Sequence, residues 1–311
     1  MRYPILLLFI LSLAQVTAQE AFRLPAVNVL HDSAVVCGRL TLFPIKRVTA
    51  AEAAPDSTGS SRFLLLREGL KTGSVAIKER GPFMLDNIGQ VLVENNSNKP
   101  LLIRSGDILL GGRQDRVFAR DTLLEPGTQV HTVPVFCIEE GRWSKREKPF
   151  AYGGQVATGL QQLIDSTQNQ TLIWNAIRQL LQERNQRGST SYAALTHKGK
   201  TADTLRACLA ELQQQLIGKD SNYCGILAVA NGKVLGADLL LSESLFYQTL
   251  PLLLEKYLAE AWLGSTAGKE DYRNATAYAA EMLSPASQQR FLAKRGKRLY
   301  FKGQLIQITG F

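Results

Sequence analysis

The apolar positions of this chain change period once. Up to about residue 150 they alternate or fall in short blocks, and beyond it they recur every three or four residues. In the first part, Leu40, Leu42 and Ile45 predict a strand over 38–48, with Pro44 close to a sheet edge. The run FLLL predicts a buried strand over 62–67, followed by a turn over 68–73. Val75 with Ile77, and Val91 with Val93, predict strands over 74–79 and 90–94. Strands over 101–103, 108–110 and 129–138 complete a set separated by turn signals at 95–100, 105–107 and 125–127. The Ala/Ser/Thr/Pro/Gly-rich stretch 50–61 reads as an exposed loop.

From Gly153 the period is helical. Val156, Leu160, Leu163 and Ile164 share one face, and Trp174, Ile177, Leu180 and Leu181 share another, in a helix stopped at Gly188. Thr201 is placed to cap a third helix, with Leu205, Cys208, Leu209, Leu212 and Leu216 on its apolar side. Asn231-Gly232 predicts a hairpin between 223–230 and 233–241. Ser242 then caps a helix running through Trp262 with Pro251 inside it. A helix over 271–283, a short helix opened by Ser284-Pro285 and ended by Gly296, and a hairpin around Lys302-Gly303 complete the chain. Strands first and helices mixed with hairpins later predict an α+β fold. The β-rich region 19–150 is expected to be antiparallel and sandwich-like, and 151–311 an α+β region packed with it as one unit.

The N-terminus changes this picture of the compartment. Arg2, the apolar run from Ile5 to Leu13 and the small residues around Val16-Thr17-Ala18 predict a signal peptide over 1–18, leaving Gln19 first and the protein periplasmic or secreted. No later apolar run is long enough to span a bilayer; Leu250 to Leu254 is flanked by Gln248 and Glu255. A 45% apolar content fills a core, and the formal charge is +9. Lys294, Arg295, Lys297, Arg298 and Lys302 cluster, which suits an anionic small molecule or simply a solvated basic face. No nucleic-acid-binding signature accompanies them, which argues against that partner. The four cysteines match no zinc spacing, there are three histidines and no HExxH, and no metal or cofactor is implied. Cys208, on the third helix, and Cys224, on the next strand, are expected to be neighbours in one core.

Candidate chemistry concentrates in two stretches. Gly111-Gly112-Arg113-Gln114-Asp115-Arg116 follows a short strand; its glycines either let the backbone approach a ligand or turn the sheet. It is neither a Walker loop nor a dinucleotide fingerprint. Glu139-Glu140-Gly141-Arg142-Trp143 closes the long strand after Cys137, combining a carboxylate, a guanidinium and an indole. Antiparallel pairing around Pro126-Gly127 is expected to bring the two stretches together, with Gln114 or Arg116 touching Glu139 or Arg142. Cys137 is read as a buried structural thiol, since His131 is too far along the same strand to activate it. No GxSxG or Ser-His-Asp arrangement is present.

With LTLFPI, REGLKTGSVAIKE, GDILLGGRQDRV, VPVFCIEEGRW, GADLLLSESLFYQTLPLLLEKY and KGQLIQITGF in that order, the chain resembles a bacterial family. This is the ARG and rhodanese-phosphatase-superfamily-associated protein domain, which has no assigned activity. The resemblance implies company with ADP-ribosylglycohydrolase and phosphatase-like domains, and so nucleotide or ADP-ribose-derived ligands. It falls on Gly111, Gly112, Gln114, Arg116, Cys137, Glu139, Gly141, Arg142 and Trp143. Export away from the cytosolic NAD pool argues against ADP-ribose itself. Two readings follow. In the first, an exported ligand-handling protein binds or hydrolyses a phosphorylated or nucleotide-like compound. Arg116 and Arg142 hold anionic groups with Gly111 and Gly112, Gln114 orients, Glu139 is general base and Trp143 stacks. In the second, a non-catalytic envelope module uses the same residues structurally.

Overall fold

The computed structural model describes residues 26–48, 62–80, 89–144, 147–217, 222–264 and 272–311. The expected signal peptide and the loop over 50–61 lie outside the described residues. The strands up to the middle of the chain are β1 (Val27–Val29), β2 (Val35–Cys37), β3 (Leu40–Arg47), β4 (Leu64–Leu65), β5 (Val75–Glu79), β6 (Gln90–Asn95), β7 (Leu101–Ile103), β8 (Asp107–Leu110), β9 (Arg116–Phe118), β10 (Thr122–Leu124), β11 (Gly127–Cys137) and β12 (Ala151–Gln155). Later strands are β13 (Tyr223–Ala230), β14 (Lys233–Leu240), β15 (Gly296–Phe301) and β16 (Gln304–Gly310). The helices are α1 (Leu66–Thr72), α2 (Thr158–Thr167), α3 (Gln170–Glu183), α4 (Ala193–Thr196), α5 (Gly199–Leu216), α6 (Glu243–Leu263), α7 (Tyr272–Leu283) and α8 (Pro285–Arg295).

The fold is α+β. A six-stranded sheet runs β12-β8-β9-β11-β6-β5, and a small sheet β10-β7-β4 packs near it. Val91, Val93, Val133, Val135 and Phe118 of the larger sheet share a core with Leu66, Leu101, Ile103 and Leu124. A seven-stranded antiparallel sheet, β1-β3-β13-β14-β16-β15 with β2 also on β3, joins the start of the chain to its end. Alternation sorts its two faces. Leu40, Leu42, Ile226 and Ala228 meet α5 and α6 on one, while Phe43, Ile45, Leu227 and Val229 meet α7 and α8 on the other. Among the described residues no helix is long and apolar enough to cross a membrane.

Several expectations are corrected. Pro44 is not near an edge, because β3 is interior. Its carbonyl accepts the Leu30 N–H at 2.9 Å, so its missing N–H falls on the same side, in the gap where β1 pairing stops at Ile45 and β2 pairing starts at Leu42. The FLLL run gives only the two-residue strand β4, and the expected turn is α1. Leu66 and Leu70 lie one helical turn apart and pack on the Val75 core, so burial overrides the turn-like Glu-Gly. β12 occupies residues where the helical period was expected to begin, and β9 and β10 were too short to show a period. The second long helix stops at Glu183, before Gly188, and α5 begins at Gly199, before Thr201.

The cysteine expectation also fails. Cys208 is joined to Cys37 by a disulfide with Cα atoms 5.7 Å apart. Cys224 is free and belongs to the opposite core. The reason is a bulge: pairing with β3 shifts between Tyr223 and Gly225, which turns Cys224 away from the face that Ile226 and Ala228 share with Cys208.

A fully buried ionic knot fixes α6 to the seven-stranded sheet. Asp238 on β14 accepts Lys256 Nζ at 2.6 Å and the Tyr257 hydroxyl at 2.7 Å through Oδ2. Its Oδ1 accepts Gln307 at 2.9 Å and Thr309 at 2.7 Å, with Arg104 Nη2 at 3.7 Å. Lys256 and Arg104 hold the Asp238 carboxyl well below the usual carboxylate range, against its burial.

Candidate functional site

The two motif stretches meet as expected. Gln114 Nε2 donates to the Glu139 carbonyl at 2.8 Å. Arg142 pairs through Nε with Glu139 and through Nη2 with Asp115 at 3.0 Å. Arg116 is 2% exposed. Its donors go to Gln114 Oε1 at 3.2 Å, Cys137 Sγ and Glu79 Oε1 at 3.5 Å. Trp143 is half exposed and lies over Arg113 and Arg116, with 5.6 and 5.9 Å from ring centre to guanidinium. Burial pushes the Cys137 thiol up, against Arg116. The glycines approach protein and not ligand space: a Cβ on Gly111 would lie 2.4 Å from the Pro149 carbonyl, and one on Gly112 2.4 Å from the Phe150 ring. The motif is thus a knot of mutually paired groups.

What the knot holds is informative. Gly112 N–H bonds the Lys148 carbonyl at 3.0 Å, and Leu110 pairs with Ala151 at the start of β12. On its other side, Asp115 Oδ2 accepts Ser191 Oγ at 3.4 Å and Glu139 bridges to Ser191, just before α4. β12 and the end of α4 are walls of a cavity of about 310 Å³ that none of Gln114, Arg116, Glu139 and Arg142 lines. Because Arg142 keeps Asp115 when Glu139 is lost, and the pair is partly exposed, Glu139→Gln should cost only about 1 kcal/mol in a denaturant titration.

The cavity is lined by Arg67 of α1, Tyr152–Gln155 of β12, Thr196 and His197 after α4, one side of α5 and one side of α6. Ala202, Leu205, Leu209, Leu258 and Ala259 make an apolar wall. Glu255, one helical turn before Leu258 and Ala259 on the same face of α6, lines the cavity beside them. Its Oε1 lies 3.6 Å from Arg67, and its Oε2 is buried with no hydrogen-bond partner. Gly154 leaves room for that oxygen, since a Cβ there would sit 3.2 Å from Oε2. Burial pushes Glu255 up to about 7 despite Arg67, and Asp107 adds to the rise. Behind the wall Asp107 accepts the Tyr152 hydroxyl at 3.0 Å, the Gln155 amide, and the Arg104 N–H at 2.7 Å. Burial pushes Asp107 up to about 6 even so. His197 bonds the Gly153 backbone and Thr196 Oγ1.

Two other expectations are placed. The basic cluster borders a groove of about 600 Å³, but most of its charge is spent. Lys297 sits 2.7 and 2.8 Å from Asp121 and Asp165, Arg295 2.9 Å from Glu281, and Lys302 3.0 Å from Glu125. Among the described residues no cluster of three or more His, Cys, Asp or Glu could hold a metal ion.

The family model of the ARG and Rhodanese-Phosphatase-superfamily-associated Protein domain matches residues 28–309. The chain belongs to this family. No curated protein and no solved structure matches it. In this family member the residues singled out in GGRQDR and EEGRW form the knot; Glu255 and Asp107 lie within family segments but were not singled out, and Tyr152 lies outside them. A signal for Glu255 was there: α6 is apolar nearly all round, so the Glu255-Lys256 pair in its interior had to be matched by buried partners or a cavity.

Proposed function

We propose that the protein takes a small acidic ligand into the cavity beside Glu255, with Glu255 as the group that exchanges a proton with it. The observation that carries this reading is Glu255, which lines a cavity walled by five separate elements and whose Oε2 is buried without a hydrogen-bond partner. A carboxyl poised near neutrality serves as acid or base, so a hydrolytic step would use Glu255 and not the arginine-bound Glu139. Gln114, Arg116, Glu139 and Arg142 act structurally on this reading, clamping β12 and α4 around the cavity. A volume near 310 Å³ is at the small end of ligand pockets and favours a compound well below a nucleotide in size. Export agrees with the Cys37–Cys208 disulfide, because such bonds persist in oxidising compartments.

A thermal-shift screen of small acids on the purified protein and on Leu205→Trp tests the site. Compounds that stabilise the parent should lose their effect in the folded variant, whose added indole occupies the cavity; unchanged stabilisation would place binding elsewhere. Glu255 also leaves a pH signature. Its folded pKa lies above the ordinary 4.5, so the stability it contributes is complete below about pH 4.5 and lost as pH rises through 7. Glu255→Gln should therefore match the parent at pH 4 and exceed it at pH 8 by roughly 2 kcal/mol. Equal denaturation midpoints at both pH values would show that Glu255 is solvated.

A further inference from the structure

We infer that the ligand of this cavity is a small carboxylic acid with an apolar body, bound as its carboxylate against the protonated Glu255 so that one proton enters with it. The inference rests on the cavity being the ligand site and specifies what it takes. The apolar residues Leu205, Leu209 and Leu258 ask for a hydrocarbon portion, and the Glu255 end beside them asks for an acid. That end has little positive charge to offer. Arg67 faces Glu255 at 3.6 Å with its side chain 46% exposed, and Arg206 is paired with Asp203 and 66% exposed, so both stand at the mouth. A phosphate dianion wants several charge-assisted donors converging on it. Glu255 lines the cavity with one of its carboxyl oxygens buried and without a hydrogen-bond partner, and a second carboxyl, Asp107, lies behind Tyr152. Two carboxylates and an entering anion do not stay ionised together, whereas a carboxyl donating to a carboxylate satisfies all three.

The groups around Glu255 set the direction of the pH effect. Arg67 comes from α1, Asp107 from β8, Tyr152 from β12, His197 from the end of α4 and Arg206 from α5, while Lys256 on the same helix is turned into the Asp238 knot. The balance is simple: ionised Glu255, a solvent proton and the ligand carboxylate give the neutral carboxyl hydrogen-bonded to the carboxylate, with no covalent bond broken in the ligand. Burial holds Glu255 near 7, so above that pH each binding event takes up a proton and affinity falls.

Calorimetric titration with hexanoate at pH 5.5 and pH 8, in two buffers of different ionisation enthalpy, reads the proton directly. Uptake should approach one proton per hexanoate at pH 8 and be small at pH 5.5, with affinity dropping about tenfold per pH unit above 7. Glu255→Gln should bind hexanoate with no uptake and no pH dependence over that range. Hexan-1-ol binding as tightly as hexanoate, inorganic phosphate binding in its place, or uptake persisting in Glu255→Gln would each overturn the inference. If hexanoate does not bind while screening hits are still lost in Leu205→Trp, the acid class is wrong and the cavity stands. If hits survive in Leu205→Trp, the cavity reading falls first.

Discussion

Asp238→Ala should destabilise the protein by roughly 3–5 kcal/mol, because it leaves buried cations without their counter-charge. Asp238 is fully buried, Lys256 is 1% exposed and Arg104 3%. Five groups converge on its two oxygens, from α6, from β16 and from the turn after β7. With a total stability on the order of 5–15 kcal/mol, that loss lowers the melting temperature by about 10 °C. The pH dependence has a definite sign. The folded carboxyl titrates below its ordinary value, so its contribution is complete above about pH 4 and is lost as pH falls further. Parent and variant should therefore converge in acid. Pairing Asp238→Ala with Lys256→Met removes one stranded charge and should recover part of the loss, since buried ion pairs cost much to break and little to replace by apolar groups. A loss under 1 kcal/mol at pH 7 would mean water reaches the knot.

How much of this was legible depended on whether local pattern and tertiary demand agreed. The hairpins at Asn231-Gly232 and Lys302-Gly303, the Ser242 cap and the Pro285 helix start were readable because each is decided by a few adjacent residues. The β3–β13 pairing joins residues far apart in the chain, and nothing in either strand names its partner. Cys224 was misplaced by a single bulge, which reverses a face without changing the alternation around it. At the site, Gln114, Glu139 and Arg142 stood out because polar and charged residues at strand ends look like chemistry, and the structure spends them on one another. Glu255 was hidden for the opposite reason. It sits beside Lys256 in a largely apolar helix, and its cavity comes from five elements spread from Arg67 to Ala259.

Replacing both Cys37 and Cys208 by Ala should cost about 3–5 kcal/mol, with dithiothreitol producing the same loss in the parent and none in the variant. The bond joins the end of β2 to the middle of α5 across a separation of 171 residues, so it removes much of the freedom of the unfolded chain. Both sulfurs lie in one apolar core with Leu40 and Leu212, so alanine leaves a small void and no unpaired polar group. Thiol counting checks the pairing independently. Cys137 and Cys224 are buried and free, so the native protein should react slowly, the denatured protein should show two thiols, and the reduced protein four. Two reactive thiols that map to Cys37 and Cys208 would refute the bond. The consequence reaches the cavity, because Cys208 is adjacent to Leu209 and α5 also supplies Ala202, Leu205 and Arg206 to its wall. Reduction frees that helix from β2 while the Glu255 side, held by the Asp238 knot, stays in place. Ligand-induced stabilisation should accordingly weaken in dithiothreitol for the parent but be insensitive to it in the double variant. Equal stabilisation of the oxidised and reduced parent would show that the packing of α5 on α6 holds the wall without the disulfide.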